Sequence, residues 1–464
     1  MQNHRQIAAR SVFRLANWVR PVRASVVLEE EHNSMSMSLS LMKKRRFLPL
    51  FVTQFLNAFN DNFFKMAMVV LITYTILQGG EKEEAYYNAF AGAIFILPFF
   101  LLSAVSGQLA DSIDKTRVIR MVKSAEIGIM IVGACGIWLH NVPLMFLALF
   151  AMGVHSTFFG PIKYGILPQH LHEEEVLGGT GLVEAGTYIA ILSGTIVGGI
   201  LPPYWSALGV IVVALIGRVA AQFVPPAPAE DDAPTSRIDW HIVRNSWRLV
   251  SNTMHVPRLF LAIMAISFFW AIGAVLAAQF PPMVKNALGG DNTVATLFTA
   301  IFSVGVAIGS VVINHILKGK VSAKYAPASV IVMGLFVLAL WWAVKGWVPV
   351  ADSPLDPDML LNFKEFWALQ QGDLILVALL GIAIAGGMFV VPLYAFLTTT
   401  VEKSETARTV AANNIVNSGA MVIGAVFYGL LATVGVSIAD TLFLIAAACL
   451  VSAWISWKLH KACD

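Results

Sequence analysis

Asn57, Asp61 and Lys65 recur at every fourth position inside the apolar run from Leu48 to Leu77. Residues four apart share one face of a helix and reach one another. An amide, a carboxylate and an ammonium therefore form one polar stripe, with Asn60 and Asn62 beside it. Two readings fit: a self-neutralising Asp61–Lys65 pair that fixes the helix, or a face that touches water or substrate. The asparagines exceed what neutralisation needs, which favours the second. Glu184 lies in another apolar stretch with no basic residue in its own span, so it must pair across helices, titrate or meet a cationic ligand. Glu126 follows Lys123 by three positions, and Lys163 stands near the end of a further apolar stretch. No nucleophile–base pair and no metal-ligand spacing accompanies these groups; His155 and His315 read as isolated, and the three cysteines are scattered. The chemistry expected is ligand contact, with no cofactor, no metal and no nucleic acid.

The elements that carry these groups must cross a membrane. Hydrophobic residues make up 57% of the 464 and charged residues 13%, about half the charge of a soluble domain. Mean hydropathy is +0.73. A span needs about 20 apolar residues, and twelve stretches come near that: 48–77, 86–109, 118–139, 142–166, 179–201, 204–224, 258–280, 293–316, 325–345, 372–397, 409–431 and 435–457. The fold class expected is an all-α polytopic membrane protein of twelve transmembrane helices in two six-helix halves. The halves are 47–224 and 258–458, joined by a cytoplasmic linker at 225–257 and flanked by tails at 1–46 and 459–464. No apolar core of signal-peptide length follows Arg5, Arg10 and Arg14, so the first tail reads as cytoplasmic, with "SVFRLANWVR" as a candidate surface helix.

A charge at the bilayer centre costs about 2.5–3.5 kcal/mol even on a lenient scale, so the buried charges should face a protein interior or a wet cavity. Basic clusters at Lys43–Arg46, Lys115–Lys123, Arg237–Arg258, Lys318–Lys324, Lys403–Arg408 and Lys458–Lys461 alternate with acidic segments around Glu81–Glu84 and Asp352–Asp358. The positive-inside bias places both termini in the cytoplasm. The first half supplies Asp61, Lys65, Lys163 and Glu184. The second supplies only polar groups such as Gln279, Asn413, Asn414 and Asn417, with Phe268, Phe269 and Trp270 as an apolar wall. A cavity polar on one side and apolar on the other suits an amphiphile with a charged head and a hydrocarbon tail. Faint duplication shows in "GPIKYGILP" and "GGMFVVPLYAFL", whose Pro161 and Pro392 sit in the fourth span of each half.

Between spans two and three runs "GQLADSIDKTRVIR". Gly107 permits close approach, Asp111 can cap a helix or meet a base, and Lys115, Arg117 and Arg120 are candidate partners in a cytoplasmic gate. The stretch is similar to the loop motif of the major facilitator superfamily, with Ser112 where a basic residue usually follows the aspartate and Asp114 where a glycine is common. "QFLNAFNDNFFK", "FFGPIKYGILP", "GLVEAGTYIAILSGTIVGG" and "GGMFVVPLYAFL" resemble, in order, the bacterial lysophospholipid transporters of that superfamily over about residues 47–457. The resemblance implies head-group handling by Asp61, Asn62, Lys163 and Glu184. It also implies movement of lysophosphatidylethanolamine and similar lysolipids across the bacterial inner membrane, and a separate cytoplasmic acyltransferase as partner. The arginine common in span seven of that family is absent; Ala277 stands nearby. The rival reading is proton-coupled export of amphiphilic drugs, with Asp61 or Glu184 as proton carrier.

Overall fold

The computed structural model describes residues 40–76, 81–229, 239–347 and 360–463. Most of the N-terminal tail, linker residues 230–238 and the acidic loop around Asp352–Asp358 lie outside them. Among the described residues the chain is helical apart from one isolated bridge, Gly290 to Leu361. Among the described residues twelve helices reach 20 residues or more. They are α1 Leu48–Leu71, α2 Glu81–Ser112, α3 Lys115–Trp138, α4 Val142–Gly165, α5 Glu173–Ile200, α6 Pro203–Gln222, α7 Pro257–Pro282, α8 Asn292–Leu317, α9 Ala326–Lys345, α10 Gln370–Thr399, α11 Thr406–Thr433 and α12 Ile438–Cys463. Ten are long and apolar enough to cross a membrane. The other two, α1 and α3, carry the Asn57–Asp61–Lys65 stripe and the Lys123–Glu126 pair.

Helix α5 starts at Glu173, earlier than the apolar reading expects at 179, because its first turn is stabilised by polar groups. Glu175 accepts from the backbone N–H of His172 at 3.0 Å. It also receives Lys44 Nζ at 2.6 Å and Arg46 Nη2 at 2.7 Å. Three glutamates in that turn suit the helix N-terminus. Part of the basic cluster before α1 is thus a clasp between α1 and α5.

Helices α1 and α5 approach closely because Gly194 and Gly198 lie against the backbone of Phe59 and Phe63, where any Cβ would strike a carbonyl oxygen. α1 also packs on α6, α2 on α4, and α3 on both α4 and α6. The last six long helices make their own set of contacts: α8 and α9 on α10, α9 on α12, and α7 on α11 and α12. Two main seams join the sets, α2 against α11 and α5 against α8, with lesser contacts of α4 on α11 and of α4 and α5 on α10. The linker carries a helix, Ile242–Met254, that rests against α2 and α11.

Candidate functional site

A cavity of about 290 Å³ lies between the two sets, lined by α1, α2, α4 and α5 on one side and by α7, α10 and α11 on the other. The helical repeat turns Asn57 and Asp61 into it. Asp61 Oδ2 accepts from Ser156 Oγ at 2.6 Å and from Asn57 Nδ2 at 3.4 Å. Asn62 also borders the cavity while bonding back to the Ala58 carbonyl at 2.8 Å. Lys163 enters from α4, its ammonium 4.7 Å from the Tyr164 ring centroid and within the fields of Glu184 and Asp61. One carboxylate and one ammonium therefore face the same space.

Lys65 departs from the stripe expected of it. It is half-buried, its Nζ sits 5.9 Å from the Phe95 ring, and it is not a lining residue. Among the described residues no ion pair joins it to Asp61, so the self-neutralising reading fails on geometry. Glu184 is buried behind the cavity wall and takes the Tyr164 hydroxyl. The Tyr164 ring in turn stacks on Tyr394 at 4.8 Å and 9°. Tyr394 accepts from Trp270 Nε1 at 3.0 Å and Asn417 Nδ2 at 3.4 Å, and Ser267 donates to Asn417 at 2.7 Å. Both tyrosines stand near the ends of α4 and α10, so the stack floors the cavity. The two proline-bearing motifs thus meet ring to ring.

In the last six helices the polar wall is Asn414, Asn417 and Ser418. Gln279 and Asn413 are fully buried and do not reach the cavity. Of the expected apolar wall only Trp270 lines it; Phe269 packs into the core beside Gly386, and Phe268 faces elsewhere. Ala277 is exposed and away from the cavity. Sequence reasoning missed Ser156, Tyr164 and Tyr394; the available signal was a tyrosine shortly after the proline in both "GPIKYG" and "VPLYAF".

The face of α1 opposite the cavity holds a second polar cluster. Asn60 donates to Glu126 Oε1 at 2.8 Å and to the Val210 carbonyl at 3.2 Å. Glu126 forms an ion pair with Lys123, both fully buried, and His155 Nε2 lies 3.4 Å from Glu126 Oε2. His155 is therefore not isolated, as its sequence neighbours implied.

A second space adjoins the first. An almost wholly apolar groove of about 600 Å³ runs between α7, α11 and α12, edged by Phe100 of α2. Phe99 faces the cavity and Phe100 the groove; on α11, Ser418 and Gly419 divide in the same way. From Ile415 to Leu431 the groove follows α11 for about 24 Å, against a hydrocarbon thickness of about 30 Å. Ile423 and Phe427 on its rim are exposed.

At the α2–α11 seam, Asp111 accepts from the backbone N–H groups of Ala407 and Arg408 at 3.1 and 3.0 Å, with Arg408 Nε 3.7 Å away. It caps the first turn of α11 from across the seam. Gly107 lies flush on α11: a Cβ there would stand 2.6 Å from Ala411 Cβ and 3.0 Å from Arg408 Cα. Lys115 is fully buried nearby. Arg117 is exposed, and Arg120 donates to the carbonyls of Gln222 and Val224 at 3.1 and 3.3 Å, so it closes the end of α6 rather than meeting Asp111. Gln108 donates to Asn245 of the linker helix at 2.5 Å and accepts from the Asp239 N–H at 3.0 Å. The Arg244 guanidinium bonds the half-buried Asp239 carboxyl and holds it below the usual carboxylate range.

Residues 50–361 match the Major Facilitator Superfamily. The chain belongs to that superfamily. It is a multi-pass bacterial inner-membrane protein whose work is transport rather than catalysis. The lysophospholipid transporter LplT of Photorhabdus laumondii is 27% identical over 400 residues, covering 84% of this chain and 89% of that protein. LplT of Salmonella heidelberg is 28% identical over 395 residues, covering 84% and 88%. The crystal structure of the human organic anion transporter MFSD10 superposes with a TM-score of 0.68 at 12% identity, over 89% of this chain and 99% of that one. A bacterial homologue of the iron transporter ferroportin, in an outward-facing state, gives 0.66 at 14% identity over 90% and 100%. At those identities the likeness is one of fold.

Proposed function

We propose that this chain carries lysophospholipids, lysophosphatidylethanolamine among them, from the outer to the inner leaflet by alternating access with lateral entry. The observation that carries the reading is a cavity holding both Asp61 and Lys163 beside an apolar groove, the two spaces separated by single helices. A zwitterionic head has a phosphate for Lys163 and an ammonium for Asp61, with Asn57, Asn62 and Asn414 as further polar contacts. A single acyl chain fits the groove, and its removal into water would cost about 0.8 kcal/mol per CH₂. Lateral entry past Phe99 and Phe100 avoids that cost. Glu184 acts through Tyr164, holding the floor, rather than by touching the head. Lys65 serves the outer approach beside Phe95.

In this reading the twelve long helices form two six-helix halves, 47–224 and 258–458, joined by the linker at 225–257. Both termini face the cytoplasm, and the seam closed by Gly107 and Asp111 is the cytoplasmic gate, with Arg408 as the basic partner. A cytoplasmic acyltransferase consumes the delivered lysolipid. The relatives named as lysophospholipid transporters support the substrate class.

The test is uptake of labelled lysophosphatidylethanolamine into spheroplasts beside efflux of a lipophilic cation. Wild-type protein is expected to support the first, and Asp61→Asn and Lys163→Ala at normal expression to abolish it. Cation efflux without lysolipid uptake, or full uptake by Asp61→Asn, overturns the assignment.

A further inference from the structure

A polar pocket lies at one end of the apolar groove, and the head-group contacts proposed above leave it unused. It measures about 450 Å³ against about 290 Å³ for the central cavity, so it has room for a head that the cavity admits. α2, α7 and α11 wall both the groove and the pocket. On α11, Arg408 and Thr409 line the pocket, while Ile415 and Val416 line the groove. Each residue of the first pair is seven positions from its counterpart in the second, so the two share one helix face at about 10 Å along the axis. α7 gives Leu259 to the pocket and Met264 to the groove; α2 gives Gln108 and Phe100. The linker helix closes the remaining side of the pocket with Asn245, Arg248 and Asn252. Groove and pocket thus lie end to end, the polar space toward the start of α11.

The charges lining the pocket are two of each sign: Arg248, Arg408, Asp239 and Glu405. Arg244 bonds the Asp239 carboxyl at 2.9 Å, which leaves Arg248 4.0 Å from that carboxyl with its side chain 68% exposed. Arg408 is 3.7 Å from Asp111 and only 18% exposed, and its buried Nε has no hydrogen-bond partner among the described residues. A buried donor left unpaired is costly, and a phosphate oxygen is the acceptor a guanidinium suits best. Glu405 adds an exposed carboxylate. Balanced charge of this kind suits a zwitterion better than a lone anion.

We infer that this pocket is the release site of the transported lysolipid, with the phosphate on Arg248 and Arg408, the ammonium on Glu405 and the acyl chain still in the groove. The site deepens the head-group reading above and rests on it. In that reading α11 starts on the cytoplasmic side, so a lipid held this way points its head to the cytoplasm and its tail to the bilayer centre, as inner-leaflet lipids do. From Asn414 and Asn417 at the cavity to Arg408 here, the head travels six to nine positions along α11, about 9–14 Å. The chain stays against the same groove throughout and never enters water. The α2–α11 seam sets the order of events. While it is closed, Asp111 holds Arg408 and only Arg248 is available to a phosphate. When it parts, Arg408 leaves Asp111 and turns to the head. The release site therefore gains its second arginine only in the inward-open state, which draws the head out of the cavity.

The test uses the full chain in proteoliposomes, with a benzophenone crosslinking residue placed at Asn252 in the pocket or at Met421 in the cavity, and radiolabelled lysophosphatidylethanolamine as probe. Both positions are expected to capture the lipid on illumination. Arg248→Glu should lower capture at Asn252 by about threefold or more, a modest factor because the pull of an exposed arginine is screened, and leave capture at Met421 unchanged. Arg248→Lys should restore it. Excess diacyl phosphatidylethanolamine should displace little of the label, because the groove takes one chain. Capture at Met421 with none at Asn252 overturns the release site alone; a crosslinker at Thr253 gives the same reading should the Asn252 protein fail to fold. Undiminished capture at Asn252 in Arg248→Glu also overturns it, as does full displacement by the diacyl lipid, which would mark a resident-lipid site. Capture at neither position removes the head-group reading, and the release site falls with it.

Discussion

Removing the Asp111 carboxylate should unlatch the α2–α11 seam. Two backbone N–H groups, of Ala407 and Arg408, donate to it at 3.1 and 3.0 Å, and Arg408 Nε lies 3.7 Å away. A net hydrogen bond to a charged group is worth about 1.5–3 kcal/mol, and losing a helix cap costs about 0.5–2 kcal/mol. The two bonds are the cap, so the terms overlap. Water also reaches part of the freed groups once the seam parts. A net loss of about 2–4 kcal/mol follows for Asp111→Ala, or roughly thirty- to a thousandfold in the ratio of closed to open seam. Asp111→Asn keeps one acceptor oxygen and should lose about 1 kcal/mol, roughly fivefold. Spin labels at Ile113 and Lys403, both exposed near the two helix ends, report the separation once the native cysteines are replaced. Wild type should give one short distance. A longer population should grow in the order wild type, Asp111→Asn, Asp111→Ala. A folded Asp111→Ala protein with the wild-type distribution would refute the latch.

Tyr164→Phe preserves the stack on Tyr394 but leaves Glu184 without its hydroxyl donor. Unfolding in detergent should move down by the equivalent of about 1–3 kcal/mol, and an unchanged Tm contradicts the role given to that hydroxyl. Gly194→Leu drives a side chain into the Phe59 carbonyl and should cost at least about 1–3 kcal/mol, seen as loss of monodisperse protein; normal yield and Tm would show that α1 and α5 are not locked there. Glu175→Gln releases Lys44 and Arg46, which are 36% and 30% exposed, so the loss should be about 1 kcal/mol or less and shrink in high salt.

Hydropathy made the long helices legible, because a membrane-spanning segment must satisfy its backbone within itself. It misplaced the start of α5, where the first turn is glutamate and the stabilisation comes from Lys44 and Arg46, more than a hundred residues away in sequence. The four-residue spacing of Asn57 and Asp61 located the cavity face of α1, but spacing along one helix could not show that Lys65 turns to Phe95. His155 looked solitary for the same reason: its neighbours Glu126 and Asp61 come from other helices. The tyrosine stack is a contact between α4 and α10, and only packing reveals it.

The central claim is that one site accepts a charged head and a hydrocarbon tail together. Competition in proteoliposomes tests it most directly, with glycerophosphoethanolamine, which lacks the tail, set against intact lysophosphatidylethanolamine. Strong competition by the intact lipid and little by the bare head, with both effects lost in Lys163→Ala, is the predicted result. Equal competition by the tail-less compound would contradict it.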